Sequence, residues 1–199
     1  MTKIFLKSLL ILSFINLISG CDDSKWLKQN DLNEKEAEFV PAPGSNWIPS
    51  KYIEEQSGKV TYNLATASEL LNTTAEPYSK DSRLIFLYKQ ESNGNSILLT
   101  VTRGLAICPE TDCDVIFKFD EEKPVKVKMF VLDDLDGHSF QIRSAQDKEE
   151  IIKLLKKSKL LKVDISLINN GIKTAQFDIS DFSYVLDRFL KENSQKKSF

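Results

Sequence analysis

Few residues in this chain are equipped for chemistry. Of 199 residues, three are cysteines, at positions 21, 108 and 113, and one is a histidine, His138. Cys108 and Cys113 enclose Pro109-Glu110-Thr111-Asp112, a C-x4-C spacing. A catalytic redox pair normally reads C-x-x-C at the start of a helix, which this does not. A zinc site wants two more soft ligands than a single histidine can supply. A structural disulfide needs only an oxidising compartment. His138 follows Asp136 and Gly137 and precedes Ser139, but adjacent strand residues point to opposite faces, so the two form no nucleophile–base couple. No G-x-S-x-G, H-E-x-x-H or P-loop occurs. Asp133-Asp134-Leu135-Asp136-Gly137 is as acidic as a calcium loop. Aligning Gly137 with that loop's glycine, however, puts Leu132 at the first ligand position and Arg143 where the bidentate acid belongs. A charged hairpin turn is expected there. The expectation is a protein that is not an enzyme, with no catalytic residues, no metal and no cofactor. A carboxylate pair acting as a glycoside hydrolase is the enzymatic alternative, because acids are plentiful.

The third cysteine closes a leader. Lys3 and Lys7 make a positive start, Leu9 to Leu17 is apolar except for Ser13 and Asn16, and Ile18-Ser19-Gly20 precede Cys21. That is the three-part pattern of an export signal. The apolar run is too short for a mature helix spanning a ~30 Å hydrocarbon core. Ile-Ser-Gly-Cys resembles the lipobox of bacterial lipoproteins. The resemblance implies a diacylglycerol on the Cys21 thiol, cleavage just before it, and acylation of the new amino group. A single acyl chain holds a protein only reversibly, whereas two or more hold it stably, and three are implied here. Asp22 stands where an aspartate retains enterobacterial lipoproteins in the inner membrane, so the inner membrane is expected ahead of the outer, with the domain facing the periplasm. In that oxidising compartment, with Cys21 used for lipid, Cys108 and Cys113 form the remaining even pair and are expected to be joined. So short a loop contributes about 2 kcal/mol by chain entropy, and its main job is to fix turn geometry and register.

The elements that must position these residues follow from periodicity. Residues 1–20 read as the signal peptide, 21–46 as a flexible tether ending in Pro41-Ala42-Pro43-Gly44, 47–190 as a β-rich domain and 191–199 as a polar tail. Trp47 is expected in the core. Alternation predicts strands at Lys59–Ala65, Arg83–Gln90, Ile97–Arg103, Cys113–Phe119, Val125–Val131, Ser139–Arg143, Leu161–Leu167 and around Ala175–Ile179. The Arg83–Gln90 strand is nearly all apolar and is expected to be covered on both faces. A helical turn is expected at Ser68–Leu71. Glu91–Asn95, with Asn93-Gly94, and Asn169-Asn170-Gly171 read as turns. Ser144 is expected to cap a helix whose stripe is Ile151, Ile152, Leu154 and Leu155. Ser180 or Asp181 starts a last helix bearing Phe182, Val185, Leu186, Phe189 and Leu190. The expected class is α+β, mainly antiparallel β. It comprises a curved sheet or sandwich of about eight strands, one helix before the last hairpin and one at the C-terminus.

The run C-x4-C-D-V-I-F-K-F-D, then K-K-S-K-L-L-K-V-D-I, then N-G-I-K-T-A-Q-F-D-I-S resembles a set of small proteobacterial periplasmic proteins. More distantly it resembles the invasion-associated-locus B type and accessory lipoproteins of type VI secretion. The specific positions are Cys108, Cys113, Asp120, Gly171, Phe177 and Asp178. Where the secretion-linked members carry Asp-Pro-Met-Thr-Asp, this chain has Trp47-Ile48-Pro49-Ser50. The resemblance implies a periplasmic β-rich domain. Formal charge is −2, and removing Lys3 and Lys7 from 27 bases leaves 25 against 29 acids, or −4. No dense basic patch emerges, so nucleic acid is not an expected partner. The expected partners are the membrane, through the lipid, and an envelope protein. The expected function is a non-enzymatic binding or accessory lipoprotein; the alternative is an inhibitor, immunity or exclusion lipoprotein against an incoming effector, phage or plasmid. Cys21→Ser is expected to move the protein from the membrane pellet to the soluble fraction. An unchanged pellet, with no acyl mass on the residue-21 peptide, would count against the anchor.

Overall fold

A computed structural model describes residues 45–53, 57–76, 78, 80–91, 94–104, 106–108, 112–132 and 139–195, all within the unit Glu38–Phe199. Their period-two alternation builds nine strands, because inward positions are Val, Ile, Leu or Phe and outward ones mostly polar. The strands are β1 (Ile48–Ile53), β2 (Val60–Ala67), β3 (Leu84–Glu91), β4 (Gly94–Val101), β5 (Asp112–Phe119), β6 (Val125–Val131), β7 (Ser139–Ile142), β8 (Leu160–Leu167) and β9 (Gly171–Asp178). Helix α1 (Ala145–Lys157) precedes β8, and helix α2 (Phe182–Gln195) follows β9. The sheet order is β1-β2-β3-β4-β7-β6-β5-β8-β9, and every pairing is antiparallel. The α+β class, the helix before the last hairpin and the C-terminal helix are as expected.

The ninth strand is β1, which holds Pro49 and which alternation did not predict. It lies at the sheet margin and pairs only with β2 among the described strands, where a residue without an N–H is tolerated. The helical turn expected at Ser68–Leu71 does not form. Instead the N–H groups of Ser68, Glu69 and Leu71 donate to the carbonyls of Leu84, Gln176 and Ser82 at 2.8, 2.9 and 2.9 Å. One isolated turn cannot nucleate a helix against such long-range bonds. β3 is covered less than expected: Leu84, Phe86 and Tyr88 are buried, but Ile85 and Leu87 are only half-buried. Glu91 pairs with Gly94, so Gly94 opens a strand; residues 92–93, within the turn expected at Glu91–Asn95, and 133–138, where a charged hairpin turn was expected, lie outside the described residues. α2 runs on to Gln195, past the Lys191 where a polar tail was expected.

Inward residues form one core. Trp47 is wholly buried, with its ring 6.0 Å from Phe86 and 4.8 Å from Phe182. α2 lays Phe189 against Tyr62 and Phe182 against Tyr88, at 6.1 and 6.4 Å. α1 is capped as its sequence implies: Ser144 Oγ accepts the Asp147 N–H at 3.2 Å, and Ile151, Leu154 and Leu155 are buried. Burial pushes the Tyr88 phenol above its usual pKa. The N–H of Ser180 donates to the Asp178 carboxylate. That bond and the Ser180 hydroxyl hold the carboxyl below its usual range.

Asp120 locks three elements together. It sits at positive φ (44°) just after β5, a conformation that Asp tolerates better than most residues. Its carboxylate accepts the N–H groups of Lys159 (3.1 Å) and Leu160 (2.9 Å), and its own N–H donates to the Leu160 carbonyl (3.0 Å). The end of β5 is thereby fastened to the junction of α1 and β8. Asp120→Ala should lower unfolding free energy by about 1–3 kcal/mol, mainly the cost of stranding the partly buried Leu160 N–H, since the Lys159 N–H is exposed to water. Asp120→Asn should lose less. Denaturant midpoints that place both variants level with the parent would show the lock to be idle.

Candidate functional site

The two cysteines meet where the sheet splits. β5 pairs with β8 from Phe119↔Leu161 as far as Ile116↔Asp164. Beyond that point β5 stays with β6, through Cys113↔Met129. The vacated edge of β8 is taken by Ala106-Ile107 instead: Ala106 bridges Leu167, and the Ile107 N–H donates to the Ser166 carbonyl at 2.8 Å. The next residue is Cys108, which lies at disulfide distance from Cys113, with Cα atoms 4.6 Å apart. The pair therefore staples the inserted segment to the strand it displaces. Pro109, Glu110 and Thr111 of the loop lie outside the described residues.

The approach to the insert depends on Gly104. Its φ is +120°, a region favouring glycine, and the ring of Tyr78 occupies the space a Cβ would need. Buried Tyr78 thus packs directly on this backbone, and the chain turns there from the end of β4 toward β8.

Three isoleucines stand out around the staple. Ile107, Ile116 and Ile172 are 49%, 38% and 71% exposed, and with Tyr52, Leu70 and Tyr184 they make up the large hydrophobic side chains on the described surface. Register gathers them. Ile107 bonds to Ser166, Ser166 pairs with Ile172, and Ile116 pairs with Asp164 two residues along β8. Ile116 and Ile172 alternate with the buried positions of β5 and β9, which sets them on the outward face. Around them lie the Lys126–Asp114 ion pair at 2.7 Å and the Thr174 hydroxyl donating to Asp164 at 2.5 Å. Both are exposed and add little stability. Single exposed apolar residues are ordinary; here Ile107 and Ile116 lie along one edge of β8 and Ile172 across it, with Asp164 and Ser166 of β8 between them.

Cys21, with its lipid, Asp22, the sorting residue, and His138 all lie outside the described residues. Among the described residues no group of three or more His, Cys, Asp or Glu could hold a metal, and no helix is long and apolar enough to cross a membrane. The isoleucines were missed as a site although alternation already placed Ile116 outward. Ile172, three residues before Ala175, carried the same signal, whereas Ile107 needed the β8 pairing to be seen.

No protein-family model matches the chain, and no curated protein matches it. Among solved structures it is similar to invasion-associated protein B from Bartonella henselae, at 15% identity with a TM-score of 0.49, covering 75% of this chain and 96% of that one.

Replacing both Cys108 and Cys113 with Ala should cost about 2 kcal/mol and should speed amide exchange at Ile107 without unfolding the sheet. Peptide mapping without reductant should recover the two cysteines in one linked species. Free thiols at both positions in freshly exported protein would dismiss the staple.

Proposed function

We propose that the chain is a lipid-anchored envelope protein acting as a binding or accessory module, with no catalysis of its own. The observation that carries the reading is the outward cluster of Ile107, Ile116 and Ile172 beside the stapled insert. Each exposed isoleucine forgoes burial worth about 1.5–3 kcal/mol for a full side chain, so the surface regains that only by being covered. A stapled segment gives it the rigidity that lowers the entropic cost of association. The leader and Cys21 support the placement: they supply the anchor, and the tether lets the module meet a partner at the membrane surface. The partner is an envelope protein whose contact face is apolar at its centre, ringed by charges that meet Asp114, Lys126 and Asp164.

The test is capture from intact membranes by photo-cross-linking from position 170. Ile107→Asp with Ile172→Asp should cut the cross-linked species at least tenfold, with the far-UV spectrum and thermal midpoint retained. Capture unchanged by the double substitution would refute the surface. Loss of any cellular phenotype on His138→Ala, with the fold intact, would reopen an enzymatic role.

A further inference from the structure

A partner for the isoleucine surface needs an apolar centre and charges that meet Lys126 and Asp164. This chain's own outer face carries both. One row of register crosses four strands there: Lys126 on β6, Ile116 on β5, Asp164 on β8 and Thr174 on β9. Residues paired directly across strands share a face. The row therefore puts an ammonium one strand to one side of Ile116 and a carboxylate one strand to the other, each about 4.8 Å away. The outer face of the sheet's other half has no such pattern. There Asn63 bonds to Ser50, Gln141 to Ser96 and Thr100 to Ser139 through neutral side chains, and Ala65 and Leu98 are already buried.

We infer that the outer face of β5, β6, β8 and β9 docks on the same face of a second copy, about a two-fold axis that runs along β5 at Ile116. The inference rests on the binding surface proposed above and names its partner. A homodimer closes by a two-fold axis, so one patch meets itself. Sheets stack about 10 Å apart with strands nearly aligned. An axis along β5 lays Ile116 on its own copy and carries Lys126 to the partner's Asp164, and Asp164 to the partner's Lys126. An axis across the strands would instead set Lys126 against Lys126 and Asp164 against Asp164, so charge selects the first.

Both ions have capacity left for a second bond. Lys126 meets Asp114 at 2.7 Å, and an ammonium has three N–H donors. Thr174 donates to one oxygen of Asp164, leaving the other. Asp114 and Lys118 also fall along β5 and would face their own copies, but each already carries an opposite charge, Lys126 for the first and Glu121, at 3.8 Å, for the second. Four strands of about eight residues present roughly 500 Å² per copy at these spacings, which is below the area of most stable interfaces. The contact is thus weak in dilute solution. Two copies held by lipid on one membrane meet at a far higher effective concentration.

The test uses the full lipidated chain in its membrane, with Ile116→Cys as reporter thiol, Tyr184→Cys as exposed control and a short bis-maleimide as cross-linker. Residue 116 should give at least tenfold more covalent dimer than residue 184. Adding Lys126→Asp, or Asp164→Lys, should cut that yield at least fivefold, and adding both should return it to within threefold. Restoration reads a contact between chains, because within one chain Lys126 and Asp164 stand two strands apart with Ile116 between them. Equal yields from residues 116 and 184 overturn the inference, as does an exchange of charges that restores nothing. Residue 116 joined only to a different envelope protein, and released from it by Ile107→Asp with Ile172→Asp, overturns the second copy while the binding surface stands. Absence of any cross-linked species overturns both.

Discussion

Phe86 and Phe177 meet ring to ring at 6.3 Å, although β3 is third and β9 ninth in a nine-stranded order. A flat sheet would hold those strands about 29 Å apart, at six spacings of roughly 4.8 Å. The contact exists only because the sheet curls until its inner face closes on itself. Trp47 and Phe182 fill the remaining space, and edge-on and tilted ring pairs of this kind add about 0.5–1.5 kcal/mol each beyond area burial. Every other feature of the domain answers to that closure.

Curling has consequences at the margins and in the middle. The β9 margin is sealed by the segment after β2: Glu69 bonds to Gln176, Lys173 Nζ donates to the Asn72 carbonyl, and Asn170 Oδ1 accepts the Thr74 N–H. This is why Ser68–Leu71 stays extended instead of helical. Mid-sheet, strands that fan apart leave an edge to be filled, and Ala106-Ile107 fills it where β5 and β8 diverge. A six-residue ring closed by cysteines is a small contribution to global stability, but it stands where a local rupture would free two unpaired strand edges at once.

Much of the inner face was legible before any coordinates. Cys113, Val115, Phe117 and Phe119 alternate with outward Asp114, Ile116 and Lys118 and are all buried; Leu161, Val163, Ile165 and Leu167 alternate likewise with Lys162, Asp164 and Ser166. Ser144 with Asp147 marked the start of α1, and Asn169-Asn170-Gly171 the last hairpin, where Asn169 and Gly171 adopt positive φ. Alternation is local, so it survives into the fold. What it cannot carry is which strands pair. The placement of β7 between β4 and β6, the use of Pro49 at a margin and the insertion at β8 depend on partners from 9 residues away (Val131↔Phe140) to 61 (Ala106↔Leu167). Asp120 was singled out by resemblance alone; its work, fastening Lys159 and Leu160, appears only once α1 has folded back.

The outer face has two apolar areas, and their borders differ. Around Leu87 and Leu98 the polar side chains bond to one another across strands, so they present few open groups to water and suit a surface that stays covered. Around Ile107, Ile116 and Ile172 the polar neighbours are charged and largely solvated, as with Lys126 and Asp114 at 64% and 51% exposure. Charges left in water keep an apolar surface soluble until a partner arrives, and they carry the orientation of the encounter. Fenced by neutral pairs, the first area meets water with few open polar groups; fenced by charge, the second keeps solvated ions around its isoleucines.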